Sequence, residues 1–167
     1  LDLNEISDST TKGLTNYLNI LFIEQISFNK LKYNSNNNVS ESSELFDKIL
    51  SSIQLKRKNI YFLNLLNYRY SQTISATKKE INRCKEIFNR QLKIIKPKII
   101  VGLGESIAKT LLNTKDDLCD LRNKIYSYEN IDLLITYHPM ELLANNNLKK
   151  DAWEDYKILK KDYINAE

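Results

Sequence analysis

Six residues between a proline and a glycine limit the fold of this chain more than any other stretch. Lys98 to Leu103 (KIIVGL) follow Pro97, which ends any helix before it, and run into Gly104. An unbroken apolar, β-branched run of this kind is a strand covered on both faces, as in a parallel sheet; a strand with one wet face alternates apolar and polar residues. A second run places Ile131, Leu133, Leu134 and Ile135 in a buried strand closed by Thr136 and Tyr137. Pro139 then fits the first turn of a helix, where its missing N–H is harmless. The sole histidine, His138, is therefore predicted at a strand's carboxyl end beside a helix N-terminus. In open α/β sheets that edge binds ligands, and free backbone N–H groups there favour negative charge.

The rest of the chain alternates strands with helices. Leu1 to Asn16 is polar, a short helix or loose arm, and Tyr17 to Ile23 (YLNILFI) predicts a first strand. Gln25 to Val39, with its asparagine-rich centre, reads as a loop. Ser40 is placed to cap a helix whose apolar stripe is Leu45, Phe46, Ile49, Leu50 and Ile53. Lys56-Arg57-Lys58 turns into a strand over Asn59 to Leu63, and a further loop follows Asn64. Thr77 and Glu80 have capping-box spacing for a long helix to Ile95, with Ile81, Cys84, Phe88, Leu92 and Ile95 inward. After Leu103 come a helix over Ser106 to Leu112, a charged loop over Lys115 to Asp120, and a short strand over Lys124 to Tyr128 that turns at Glu129-Asn130. Lys149 to Ile164 closes the chain as a helix packing Trp153, Tyr156, Ile158, Leu159 and Tyr163. Gly102-Leu103-Gly104 is no dinucleotide fingerprint, since Ile107 occupies the third glycine position, and a tight turn accounts for both glycines.

This alternation predicts a three-layer α/β/α domain with a central, mostly parallel sheet of four or five strands. The 167 residues are expected to form a single domain, with 1–16 as a flexible arm. Three strand ends would open on one edge and offer Glu24, Asn64 and His138. No apolar run is long enough to span a bilayer. Leu1 to Asp8 lack the basic and apolar regions of a signal peptide, and opening on Leu1 fits removal of residues upstream. Cys84 and Cys119 have no paired spacing, so a reducing, cytoplasmic setting is expected. A net charge of +4 suits a phosphate-binding surface without requiring one.

The motifs carry a resemblance. Thr136-Tyr137-His138-Pro139, the double leucine Leu142-Leu143, and Lys149-Lys150-Asp151-Ala152-Trp153-Glu154-Asp155 resemble the carboxyl end of family 4 uracil-DNA glycosylases. Phe62-Leu63-Asn64-Leu65-Leu66-Asn67-Tyr68-Arg69 resembles the family's second strand end, and Leu121-Arg122 a Leu-Arg-Gly motif with Asn123 for glycine. The resemblance implies excision of uracil flipped out of DNA, single- or double-stranded, and a monomer is expected. It implies Asn64 as reader of uracil through paired donor and acceptor, and His138 as donor to O2 while charge builds on the leaving base. Glu24 would position base or water, and Arg69, Arg122, Lys149 and Lys150 would hold phosphates. Leu142 resembles the wedge that enters the base stack, with an ordinary place in the helix core as the other reading.

Departures lie in the front half. The family's Gly-Glu-Ala-Pro-Gly loop stands here as Ile23-Glu24-Gln25-Ile26-Ser27, and Asn38 takes the place of an aromatic that stacks on uracil. Of the four cysteines that hold the family's iron–sulfur cluster, Cys84 aligns with the last and Tyr68 replaces the third. One thiolate cannot hold the cluster, so no cofactor and no metal are expected, with Cys84 an apolar core residue. The alternative to an active glycosylase is a degenerate member that binds DNA or a protein without excision.

Overall fold

The structure, a computed structural model, describes residues 19–25, 37–65 and 77–165, with the backbone alone over 37–40. Among these residues five strands form one sheet: β1 (Ile20–Glu24), β2 (Tyr61–Asn64), β3 (Ile99–Leu103), β4 (Ile125–Tyr128) and β5 (Ile131–Thr136), in the order β2-β1-β3-β5-β4. Only β4 runs antiparallel, as a hairpin with β5. Glu129 and Asn130 at its turn both have positive φ, 49° and 62°, as a tight hairpin with right-handed strand twist demands. The helices are α1 (Asn37–Ser52), α2 (Lys78–Ile95), α3 (Glu105–Leu112), α4 (Leu118–Leu121), α5 (Pro139–Ala144) and α6 (Leu148–Leu159), the last continuing as a π-type turn over Lys160–Ile164.

Every residue of β1 and β3 is buried, which requires cover on both sides of the sheet. Phe22 of β1 meets Phe46 of α1 edge to face at 5.2 Å between ring centroids, so α1 covers the Phe22 side. Right-handed crossovers then put α2 and α3 on the other side, where the Lys85 ammonium donates to the Thr110 carbonyl at 3.0 Å. The expected three-layer architecture is present. The chain steps from β1 outward to β2 and back across to β3, so the direction of winding reverses between β1 and β3. That reversal opens a crevice at the carboxyl edge.

Several local expectations hold in detail. Thr77 and Glu80 form the capping box in both directions, with the Thr77 N–H donating to Glu80 at 2.7 Å and the Glu80 N–H to the Thr77 hydroxyl at 3.3 Å. Cys84, Phe88 and Leu92 are buried on the inner face of α2, and Ile81 packs against the core.

Others are corrected. β1 begins at Ile20, so Tyr17 and Leu18 lie outside the described residues, as do Leu1 to Asn16. α1 starts at Asn37, which puts Ser40 and Asn38 inside a helix and not at its cap or in a loop. A short helix, α4, interrupts the charged segment, because Leu118 and Leu121 bury themselves on one side of a single turn. Gly104 does turn with φ +88°, yet Gly102 lies in β3 for a different reason. A Cβ there would stand 2.8 Å from both Ile107 Cγ2 and Ile135 Cδ1. On α6 the inward stripe is Ala152, Asp155, Tyr156 and Leu159, and Trp153, about 100° around the helix from its neighbour Ala152, is 39% exposed.

Candidate active site at the carboxyl edge of the sheet

The described strands bring three sequence-predicted residues to one edge. Glu24 ends β1 and Asn64 ends β2 as its register partner, and residues directly opposed on parallel strands point to the same face. On the other side of Glu24, Leu103 is its partner on β3, and Leu103 in turn pairs with Thr136 at the end of β5. Two residues further on, His138 enters the crevice from the β5–α5 turn.

The hydrogen bonds of that turn fix both the place and the proton of His138. Its backbone N–H donates to Glu141 Oε2 at 2.8 Å, and the Glu141 N–H returns to the His138 carbonyl at 2.9 Å. The imidazole itself caps α5, since Nδ1 accepts the Met140 N–H at 3.1 Å. A ring nitrogen that accepts carries no proton, so the neutral ring is protonated at Nε2. Nε2 lies 2.7 Å from Glu24 Oε2 and donates to it. The pair is mostly buried, with the His138 side chain 20% and the Glu24 side chain 12% exposed.

Gly104 lets the ring sit there. Its N–H donates to the Thr136 carbonyl at 2.8 Å, and a Cβ on it would come within 3.2 Å of His138 Cβ. The left-handed φ and this approach both select glycine.

Behind the turn lies a charged cluster. Asp155 of α6 is fully buried and accepts from the Thr136 hydroxyl at 2.7 Å, Arg122 Nε at 3.0 Å and the Asn123 N–H at 3.0 Å. Burial pushes its carboxyl above the usual aspartate range, and the Thr136 and Arg122 bonds pull it part of the way back. Arg122 also donates to the Asp151 carbonyl and lies 4.9 Å from the centroid of the Tyr137 ring. The guanidinium expected at a phosphate is thus engaged by Asp155 and Asp151, with only 10% of its side chain exposed.

The other expected residues divide. Lys149 and Lys150 are exposed in the first turn of α6, open to a polyanion. Arg69 lies outside the described residues. Leu142 is 1% exposed and packs in the core, where the inward side of the short α5 meets α1. Sequence reasoning missed Glu141 and Asp155. The first was signalled by an acidic residue three positions after a cap, the second by a charge inside an apolar helical stripe.

The thiols do not fit an iron–sulfur cluster. The sequence has two cysteines, Cys84 buried on the inner face of α2 and Cys119 exposed on α4. Burial pushes the Cys84 thiol up, away from the thiolate a metal needs. Among the described residues no group of three or more His, Cys, Asp or Glu could hold a metal ion, and no helix is long and apolar enough to cross a membrane.

Chemically, the edge offers a neutral N–H donor, a carboxylate and a carboxamide around a crevice. Such a set can bind a planar ring with adjacent donors and acceptors and stabilise negative charge developing on it. The chain is similar to known proteins. The chain is 28% identical over 127 residues to the type-4 uracil-DNA glycosylase of Archaeoglobus fulgidus, covering 71% of this chain and 64% of that protein. It is 29% identical over 131 residues to the type-4 enzyme of Sulfurisphaera tokodaii, covering 73% and 60%. The matched part thus spans less than two thirds of these relatives. The pattern of the uracil-DNA glycosylase superfamily matches residues 24–157, from the carboxylate of the edge to α6 and most of the chain between, and the chain belongs to that superfamily.

Proposed function

We propose that this protein hydrolyses the N-glycosidic bond of deoxyuridine in DNA. The observation that carries the reading is the Nε2–H tautomer of His138, held by Met140 and aimed at Glu24 across the crevice. When a flipped uracil enters, the Nε2–H passes from Glu24 to O2 of the base. The C1′–N1 bond breaks with its electron pair staying on uracil, and His138 stabilises the resulting anion. Glu24, released from the imidazole, orients the water that adds to the sugar C1′ and receives its proton. Asn64 reads O4 and N3–H and rejects cytosine, whose donor and acceptor are exchanged at those atoms. Lys149 and Lys150 meet phosphates.

The reaction needs no cluster, and the burial and raised thiol of Cys84 support its absence. An iron and sulfide assay of the purified protein tests this; near four irons per chain would overturn it. The free thiols of Cys84 and Cys119 suit a reducing, cytoplasmic compartment.

The deciding experiment is single-turnover incubation with single- and double-stranded oligonucleotides containing one uracil, followed by alkaline cleavage, beside His138→Ala. Strand breaks that vanish in the variant establish excision. Salt-sensitive DNA binding without breaks would replace this reading with that of a degenerate glycosylase fold.

A further inference from the structure

Three stretches separated in the sequence meet behind His138: Leu121-Arg122-Asn123, Thr136-Tyr137 and the Asp155 turn of α6. We infer that Asp155 is a positioning residue, which through Thr136 and Arg122 sets where His138 presents its Nε2–H. The inference rests on the reading of His138 as the donor to the leaving base.

His138 bonds Met140, Glu141 and Leu142 within its own turn, and beyond it the side chain is bonded to Glu24 through Nε2. The turn is placed by Leu142, packed in the core where α5 meets α1, and by the two residues that lead into it. Thr136 is held from two sides, by the Gly104 N–H at its carbonyl and by Asp155 at its hydroxyl. Tyr137 lies under Arg122, and Arg122 is held by the same Asp155 carboxylate. One buried carboxylate therefore anchors both residues preceding the donor.

The same helix is tied at its far end. The Tyr163 hydroxyl donates to Asp132 at 2.7 Å near the start of β5. α6 and its extension run antiparallel to β5, pinned at both ends of the strand. Only the Asp155 end adjoins the crevice. A hydrophobic side chain would fill this space at less desolvation cost, but it could not hold a hydroxyl, a guanidinium and a backbone N–H in one fixed arrangement.

Because the chain has one histidine, its ring nitrogens can be followed without ambiguity by long-range proton–nitrogen NMR. The variants are Thr136→Val, which keeps the shape and removes the bond, Thr136→Ser, which restores the hydroxyl, and Asp155→Asn. Wild type should show a single Nε2–H tautomer. Thr136→Val should shift or broaden the Nε2–H signal, whose acceptor is Glu24, and slow single-turnover excision ~10- to 100-fold, with DNA affinity within about twofold. Thr136→Ser should recover both. If Asp155→Asn does not fold, Thr136→Val decides alone. A folded Thr136→Val with wild-type ring signals and wild-type rate would overturn the inference. If wild type excises nothing, the proposed reaction fails while the ring spectra of the variants still decide whether Asp155 positions His138.

Discussion

Glu24 and His138 lie 114 residues apart in sequence and meet at 2.7 Å, with the proton of the contact on the imidazole. The carboxylate thus occupies the donor that the proposed substrate would take, and base binding is an exchange of acceptors. Replacing His138 by Ala should lower the single-turnover rate ~10²- to 10³-fold with DNA affinity little changed. Glu24→Gln, whose carbonyl oxygen can still accept the Nε2–H, should lose less than Glu24→Ala. Equal losses of rate and affinity in His138→Ala would contradict the assigned role.

Leu142 is part of the core, so its truncation is a stability experiment. Leu142→Ala should destabilise the fold by ~2–5 kcal/mol in urea unfolding, and Leu143→Ala, at a half-buried position, by less. At a temperature where both variants are folded, Leu142→Ala should bind DNA like wild type. A selective loss of DNA affinity would instead mark Leu142 as a wedge that leaves the core.

The two glycines of β3 and its turn should separate stability from chemistry. Gly102→Ala overpacks Ile107 and Ile135 and should destabilise by ~1–3 kcal/mol while leaving the excision rate of the folded fraction unchanged. Gly104→Ala combines a left-handed φ with a Cβ against His138, so it should lower the excision rate as well as the melting temperature. Equal rates for the two variants would remove Gly104 from the account of how His138 is placed.

The buried carboxylate carries a pH signature. Since burial raises the Asp155 pKa in the folded state, the native protein holds this proton more firmly than the unfolded chain. Its contribution to stability is full below the ordinary aspartate pKa and is lost as pH rises through the raised value. The stability of wild type relative to Asp155→Asn should therefore fall with rising pH across that acid window and be flat above it. Urea midpoints at stepped acid pH measure this; a relative stability that grows with pH would mean that Thr136, Arg122 and Asn123 outweigh burial.

Salt dependence should sort the basic residues. Lys149→Gln and Lys150→Gln should each reduce the slope of log affinity against log salt by up to about 0.9 on duplex DNA. Arg122→Gln should reduce melting temperature and leave that slope nearly unchanged, because its guanidinium is engaged by Asp155 and Asp151. Equal slope changes in all three would place Arg122 at the phosphates.

What the sequence determined is local or periodic. Lys98 to Leu103 could only be a strand covered on both faces, Thr77 and Glu80 could only start a helix, and Pro139 fixed where the His138 strand gives way to one. Glu24, Asn64 and His138 were recognisable because the first two end apolar strands and the third follows one by two residues, and parallel strands deliver their ends to one edge. Which side chains would be spent on the fold itself was not legible. Arg122 and Leu142 have the chemistry of a phosphate ligand and a wedge, but exposure is settled by what packs over a residue from distant parts of the chain. Asp155 took its role only when α6 lay along β5, and the His138 tautomer existed only once Nδ1 met the Met140 N–H and Nε2 met Glu24. Short-range pattern specifies elements and their order. Pairings across more than a hundred residues depend on three-dimensional closure, and in this protein one of them gives the Nε2–H of His138 its acceptor, Glu24.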